Sequence, residues 1–317
     1  MANYPYSGAN LTHHGIVVPR RAGSMWPSWQ RVFLIGLFLW VESVVVTDIT
    51  GNVNLIPTVV LLGSFLVPVT AIIWYLDHYE SPTLSPSRIF YASIVGGVLG
   101  ILAASLLEAY LLTNGILAYV GVGLIEEGVK LAALLLAARG LTRFVTRDGI
   151  VLGATVGFAF GALESAGYAF NALVVPEGSR VVLSLSSLVQ TELVRGVLAP
   201  VGHGLWTAIL GGILFSASRR ASRLRISGAA IGAYLLVSLL HALWDAMRGI
   251  ALVFTAVLTA TPGQQALINA GGIPAPTPSQ LRVFLVFEWG GLLVVSVVGL
   301  AILWVLWNRA ARDAPLT

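Results

Sequence analysis

The chain has 317 residues, of which 57% are hydrophobic and 10% charged, and its mean hydropathy is +0.87. That composition excludes an ordinary soluble domain. The formal charge of +4 does not signal nucleic-acid binding, because the arginines flank apolar runs. The lack of cysteine removes disulfides, thiolate metal ligands and a cysteine nucleophile together.

Residues 1–31 are rich in Gly, Pro, Ser and Arg and read as a cytoplasmic tail that keeps His13 and His14 solvated. No cleavable signal segment is evident, since the first apolar run leads into Glu42 and a polar stretch ending at Asn54. A bilayer core takes about 20 apolar residues per helix. Eight spans are predicted on that measure, at 32–47, 55–76, 89–113, 115–138, 149–174, 192–218, 226–250 and 282–307. The expectation is one all-α polytopic membrane domain over 32–308, with its motif-bearing core at 115–250 and a cytoplasmic tail at 309–317. The seventh apolar stretch runs on to residue 260, and Arg248-Gly249 marks its meeting with the outer interface. The long connections 175–191 and 259–281 fall outside, the second irregular because it is rich in Pro, Gly and Ala.

Arginine placement orients the spans. Thirteen arginines, among them Arg139, Arg143 and the cluster Arg219 to Arg225, lie on one side, and only Arg180, Arg195, Arg248 and Arg282 lie on the other. Both termini are therefore expected inside the cell.

Four spans carry polar groups where a bilayer tolerates few. The only lysine, Lys130, follows Glu126 and Glu127 in the fourth span. Glu164 lies in the fifth, beside a ridge of Gly153, Gly157 and Gly161 that permits close helix contact. His203 lies in the sixth, and His241 with Asp245 in the seventh. Counted from the cytoplasmic ends, these groups share a depth of roughly 18–23 Å at 1.5 Å per residue. A charge at mid-membrane costs roughly 2.5–3.5 kcal/mol on insertion scales, so one shared layer points to one site. Glu108, Glu192 and Glu288 lie near outer ends and are expected to reach the interface; Glu42 has no assigned role.

Two imidazoles with one or two carboxylates suit Zn²⁺ with a position left for water. His203 and His241 are the expected ligands, completed by Glu164 or Asp245, and Asp245 has the alternative task of orienting a histidine. Glu126, one turn from Lys130, is expected to pair with it, leaving Glu127 as the general base. No HExxH zinc motif, glycine-flanked aspartate pair or glycine-rich serine motif is present.

Glu126-Glu127-x-x-Lys130, Phe160-x-x-x-Glu164, an isolated His203 and His241-x-x-x-Asp245, in that order, resemble the PrsW family of intramembrane metalloproteases. That family is distantly related to the type II CAAX prenyl endopeptidases. The resemblance implies a zinc-type, multi-pass protease of a bacterial cell membrane that cuts a membrane-associated protein; in bacterial relatives that protein is an anti-sigma factor. Two other classes stay open: a proton- or ion-coupled transporter, which would show discontinuous helices or inverted repeats, and a non-catalytic scaffold of the same superfamily.

Topology reporters fused after residues 143 and 222 should read inside the cell, and one near residue 270 should read outside. An outside signal from the 219–225 arginine cluster would overturn the orientation.

Overall fold

The computed structural model describes residues 28–312 apart from 80, 114, 116 and 179; His13, His14, most of the N-terminal tail and residues 313–317 lie outside the described residues. The chain is almost wholly helical: α1 (Ser28–Thr50), α2 (Ile56–His78), α3 (Pro86–Ile94), α4 (Gly100–Leu111), α5 (Ala118–Ala137), α6 (Thr146–Leu173), α7 (Leu185–Leu198), α8 (His203–Ser218), α9 (Gly228–Thr259), α10 (Pro262–Asn269) and α11 (Pro278–Arg312). Helix starts follow capping chemistry. Ser85, Ser184 and Ser227 each accept a hydrogen bond from a backbone N–H three residues on.

Seven helical runs among the described residues are long and apolar enough to cross a membrane. They correspond to seven of the eight expected spans. The remaining one is α5, which has 20 residues but carries Glu126, Glu127 and Lys130 in its middle, and all three are buried. The sixth expected span is a single run, Leu185–Ser218, interrupted by a 3-10 turn at Ala199–Val201. No irregular backbone was expected at this depth. Pro200 cannot supply an N–H, and Gly202 takes an unusual backbone conformation (φ −102°, ψ −132°), so the helix restarts at His203.

The connections also differ from expectation. Residues Val174–Glu177 (β1) and Arg180–Leu183 (β2) form an antiparallel hairpin, with Val175 opposite Val182 and Gly178 at positive φ in its turn. Inside the 259–281 connection, the Thr261 side chain and Gln264 make a reciprocal capping box with Pro262 in the first turn, which is enough to start α10. Helix α9 runs unbroken past Arg248-Gly249 to Thr259.

Helix α6 is the axis of the bundle, and its most extensive contact is with α8. The glycine ridge makes that contact possible. A Cβ at Gly153 would lie 2.2 Å from the Thr207 carbonyl oxygen, and one at Gly157 would lie 2.2 Å from that of His203. On its other side α6 meets a five-residue π-helical stretch, Val95–Leu99, where a Cβ at Gly96 would lie 2.7 Å from the Val156 backbone. Arg88 ties α3 to α5 by donating to the carbonyls of Ala137 and Arg139, a cation on a helix C-terminus.

Gly157→Ala should therefore lower stability by about 1–3 kcal/mol through overpacking. Gly167→Ala on the same helix meets nothing within 4 Å and should be neutral or slightly stabilising. Thermal unfolding of the detergent-solubilised chain checks both; equal melting temperatures for the two variants would remove the ridge from this role.

Candidate metal centre

The turn of α5 that carries the ionisable groups faces inward. Glu127 and Lys130 are wholly inaccessible and Glu126 nearly so. Spacings of three and four residues put both carboxylates on the lysine's face. The Lys130 ammonium lies 2.7 Å from Glu127 Oε1 and 3.2 Å from Glu126 Oε2. It also donates to His203 Nδ1 at 2.8 Å and sits 4.3 Å above the Phe160 ring. The expectation that Glu126 alone takes the lysine, leaving Glu127 free, is corrected here. Lysine is long and flexible enough to reach both, and Glu127 is the more heavily engaged, because it also bonds His241.

His203 opens α8 immediately after the helix break, and the glycine ridge draws it against α6. Its Nε2 bonds Glu164 Oε2 at 2.8 Å. His241, on α9, bonds Glu127 Oε1 through Nδ1 at 3.0 Å. The two rings meet edge to face with centroids 5.0 Å apart, and the Trp206 indole stacks on His241 at 4.8 Å. Glu126 Oε2 faces both, 3.8 Å from His203 Nδ1 and 3.6 Å from His241 Nε2. Asp245 Oδ2 lies 3.3 Å from His241 Nε2, and its side chain, 32% exposed, is the most accessible carboxylate of the group.

All seven sequence-predicted residues (Glu126, Glu127, Lys130, Glu164, His203, His241 and Asp245) thus join one connected network. Two partners were not foreseen. Arg195 of α7, assigned from sequence to the outer surface, bonds Glu164 through its guanidinium and donates Nε–H to Ser165 Oγ at 2.7 Å. Its place eight residues before His203 in an apolar run was the available signal. Trp206 left no signal beyond its position one turn after His203. Glu42 is exposed on α1.

Three observations bear on whether a divalent ion fits. One ligand atom from each of Glu126, His203 and His241 lies within 4.8 Å of the others. Each imidazole gives its far nitrogen to a carboxylate, His203 to Glu164 and His241 to Glu127, as metal-bound histidines do, and this turns the near nitrogens inward, where that of His203 accepts from Lys130. Glu126 Oε2 is buried with no hydrogen bond. Formally, the carboxylates of Glu126, Glu127, Glu164 and Asp245 against the cations Lys130 and Arg195 leave a charge of −2 with neutral imidazoles, which a divalent ion would cancel. The donor set fits such an ion.

Two imidazoles and a carboxylate that converge inside a helical membrane bundle suit a membrane-embedded metallohydrolase. The family model for PrsW family intramembrane metalloproteases matches residues 82–267, more than half of the chain, and the chain belongs to that family of membrane proteases. No curated protein and no solved structure matches it.

Lys130→Met leaves two buried carboxylates without their cation and should cost about 3–5 kcal/mol. Adding Glu127→Gln should recover a measurable part of that loss. A double variant no more stable than Lys130→Met, by thermal unfolding, would show that the lysine does not act through this carboxylate.

Proposed function

We propose that the chain is a zinc-dependent endopeptidase that hydrolyses a peptide bond of a membrane-associated protein. The observation that carries this reading is the convergence of Glu126 Oε2 and the two imidazoles, with each far nitrogen already anchored by a carboxylate. Glu126, His203 and His241 would hold the ion, and Lys130 keeps both carboxylate partners when His203 Nδ1 is given up to it. Bound there, a divalent ion supplies Lewis-acid charge that stabilises the negative oxygen developing on the scissile carbonyl.

The chain's own residues divide the remaining work. Glu164 and Glu127 orient the imidazoles. Arg195 holds Glu164 in place. Asp245, the most accessible carboxylate of the group, would take the proton of the attacking water and return it to the leaving amine. This assignment moves the base from Glu127, the sequence expectation, because Glu127 is wholly buried and its Oε1 is shared between Lys130 and His241. We keep 32–308 as one membrane domain with both termini cytoplasmic. An anti-sigma factor is the substrate class to try first.

The helix break at Ala199–Gly202 is a feature that transporters share. Here it supplies the turn that sets His203, and the family is one of proteases.

Metal analysis of purified protein, with cleavage of a reconstituted membrane substrate, tests the assignment. Wild type should hold one zinc; His203→Ala, His241→Ala and Glu126→Gln should lose it. Asp245→Asn should keep the metal and stop cleaving, while Glu127→Gln should bind metal about 10–100-fold more weakly. A Glu127→Gln variant that keeps its metal and is dead would return the base to Glu127. A metal-free wild type that moves ions would replace the protease reading by the transporter.

A further inference from the structure

A cavity of about 90 Å³ lies beside the metal centre, lined by Ser64 of α2, Glu164 of α6, Glu192, Arg195 and Gly196 of α7, and His203 of α8. We propose that this cavity holds ordered water and delivers the hydrolytic water to the site, with Glu192 and Ser64 as its anchoring groups. The proposal rests on the protease reading above. Cutting one peptide bond consumes one water: its oxygen bonds the carbonyl carbon, the C–N bond breaks and the amine nitrogen takes a proton. A site enclosed by apolar helices needs a route for that molecule.

Glu192 was expected at the membrane interface. Instead it is buried, 4% exposed, and held by the Trp40 indole N–H, which donates to Oε2 at 2.7 Å. Its Oε1 makes no hydrogen bond within the protein, and neither does Ser64 Oγ, which is also buried. Leaving such groups unpaired costs about 1–3 kcal/mol each. Both residues line the cavity, which at about 30 Å³ per molecule has room for about three waters.

The surrounding sequence keeps this space open. A Cβ at Gly63 would lie 2.3 Å from the Glu192 carboxyl carbon, so glycine there leaves the carboxyl its present position. Gly196 lines the cavity and a Cβ on it would meet nothing within 4 Å. Arg195 and Glu164 also line the cavity, and Glu164 bonds both Arg195 and His203. Glu192, Ser64, Arg195 and Glu164 therefore line one cavity, and Glu164 bonds a proposed metal ligand.

The natural absence of cysteine makes each introduced thiol unique. Single variants Ser64→Cys, Gly196→Cys and, as a buried control on α4, Ala104→Cys would be exposed to silver ion, which reaches thiols through water and not through lipid. Thiols left unreacted are then counted by maleimide labelling after denaturation. Silver should protect Ser64→Cys and Gly196→Cys and leave Ala104→Cys unprotected. Gly196→Leu, or Ser64→Leu if the first misfolds, should plug the space and slow cleavage by about tenfold or more. Its zinc content should stay unchanged. Gly196→Leu should also slow silver protection of Ser64→Cys by a similar factor. A Ser64→Cys thiol as unreactive as the Ala104→Cys control, or plugged variants cleaving at the wild-type rate, would overturn the proposal. Failure of the protease reading looks different: wild type then cuts no substrate although silver still reaches Ser64→Cys, and the supply role falls with it.

Discussion

Three ionisable side chains within five residues of an apolar helix must be kept from lipid, and the architecture follows from that requirement. The Lys130 ammonium takes two carboxylates from its own helix, the Nδ1 lone pair of His203 and the face of Phe160. Removing the lysine would leave carboxylate charge in a low-dielectric interior, where the penalty is several kcal/mol per ion. The helices bearing His203 and Phe160, α8 and α6, are therefore packed with these side chains turned to α5. Where α6 and α8 meet, glycine takes the place of larger side chains so that the backbones come close enough.

The break between α7 and α8 solves a second problem. A histidine in mid-helix projects from a face set by the helical repeat, and its backbone N–H is already committed. Restarting the helix at His203 after Pro200 and Gly202 places the ring at a helix N-terminus, between Glu164 and Lys130. Non-helical backbone at membrane depth is tolerated only where protein or a wet cavity surrounds it. This break lies against both, with α6 on one side and the polar cavity on the other.

A scaffold and an enzyme can share a buried polar network, and what separates them is surplus polarity. A network built only for packing would close on itself. Here Glu127 Oε2 is buried without a hydrogen bond, and a formal charge of −2 remains after the ion pairs are matched. Such open valence is costly to maintain in a membrane interior, and it is the property a cation-binding catalytic centre needs.

The sequence by itself determined the all-α membrane class, the approximate extent of the spans and the seven residues of the polar layer. Hydropathy over 20 residues and a rare charge within it are local signals that survive without any knowledge of packing. The glycine ridge was legible too, since small residues at a spacing of four mark a face for close approach. The β1–β2 hairpin, α10 and the break before His203 depend on turn and cap geometry that composition reads poorly. Which carboxylate meets which imidazole was decided only by tertiary structure. Glu126 and Glu127 are adjacent on one helix, and the choice between them rests on the direction from which α8 and α9 approach. For the same reason Arg195 and Glu192, which look like outer-surface charges along the chain, turn inward: their partners Glu164 and Trp40 lie 31 and 152 residues away in sequence, and only the packed helices bring them within bonding distance.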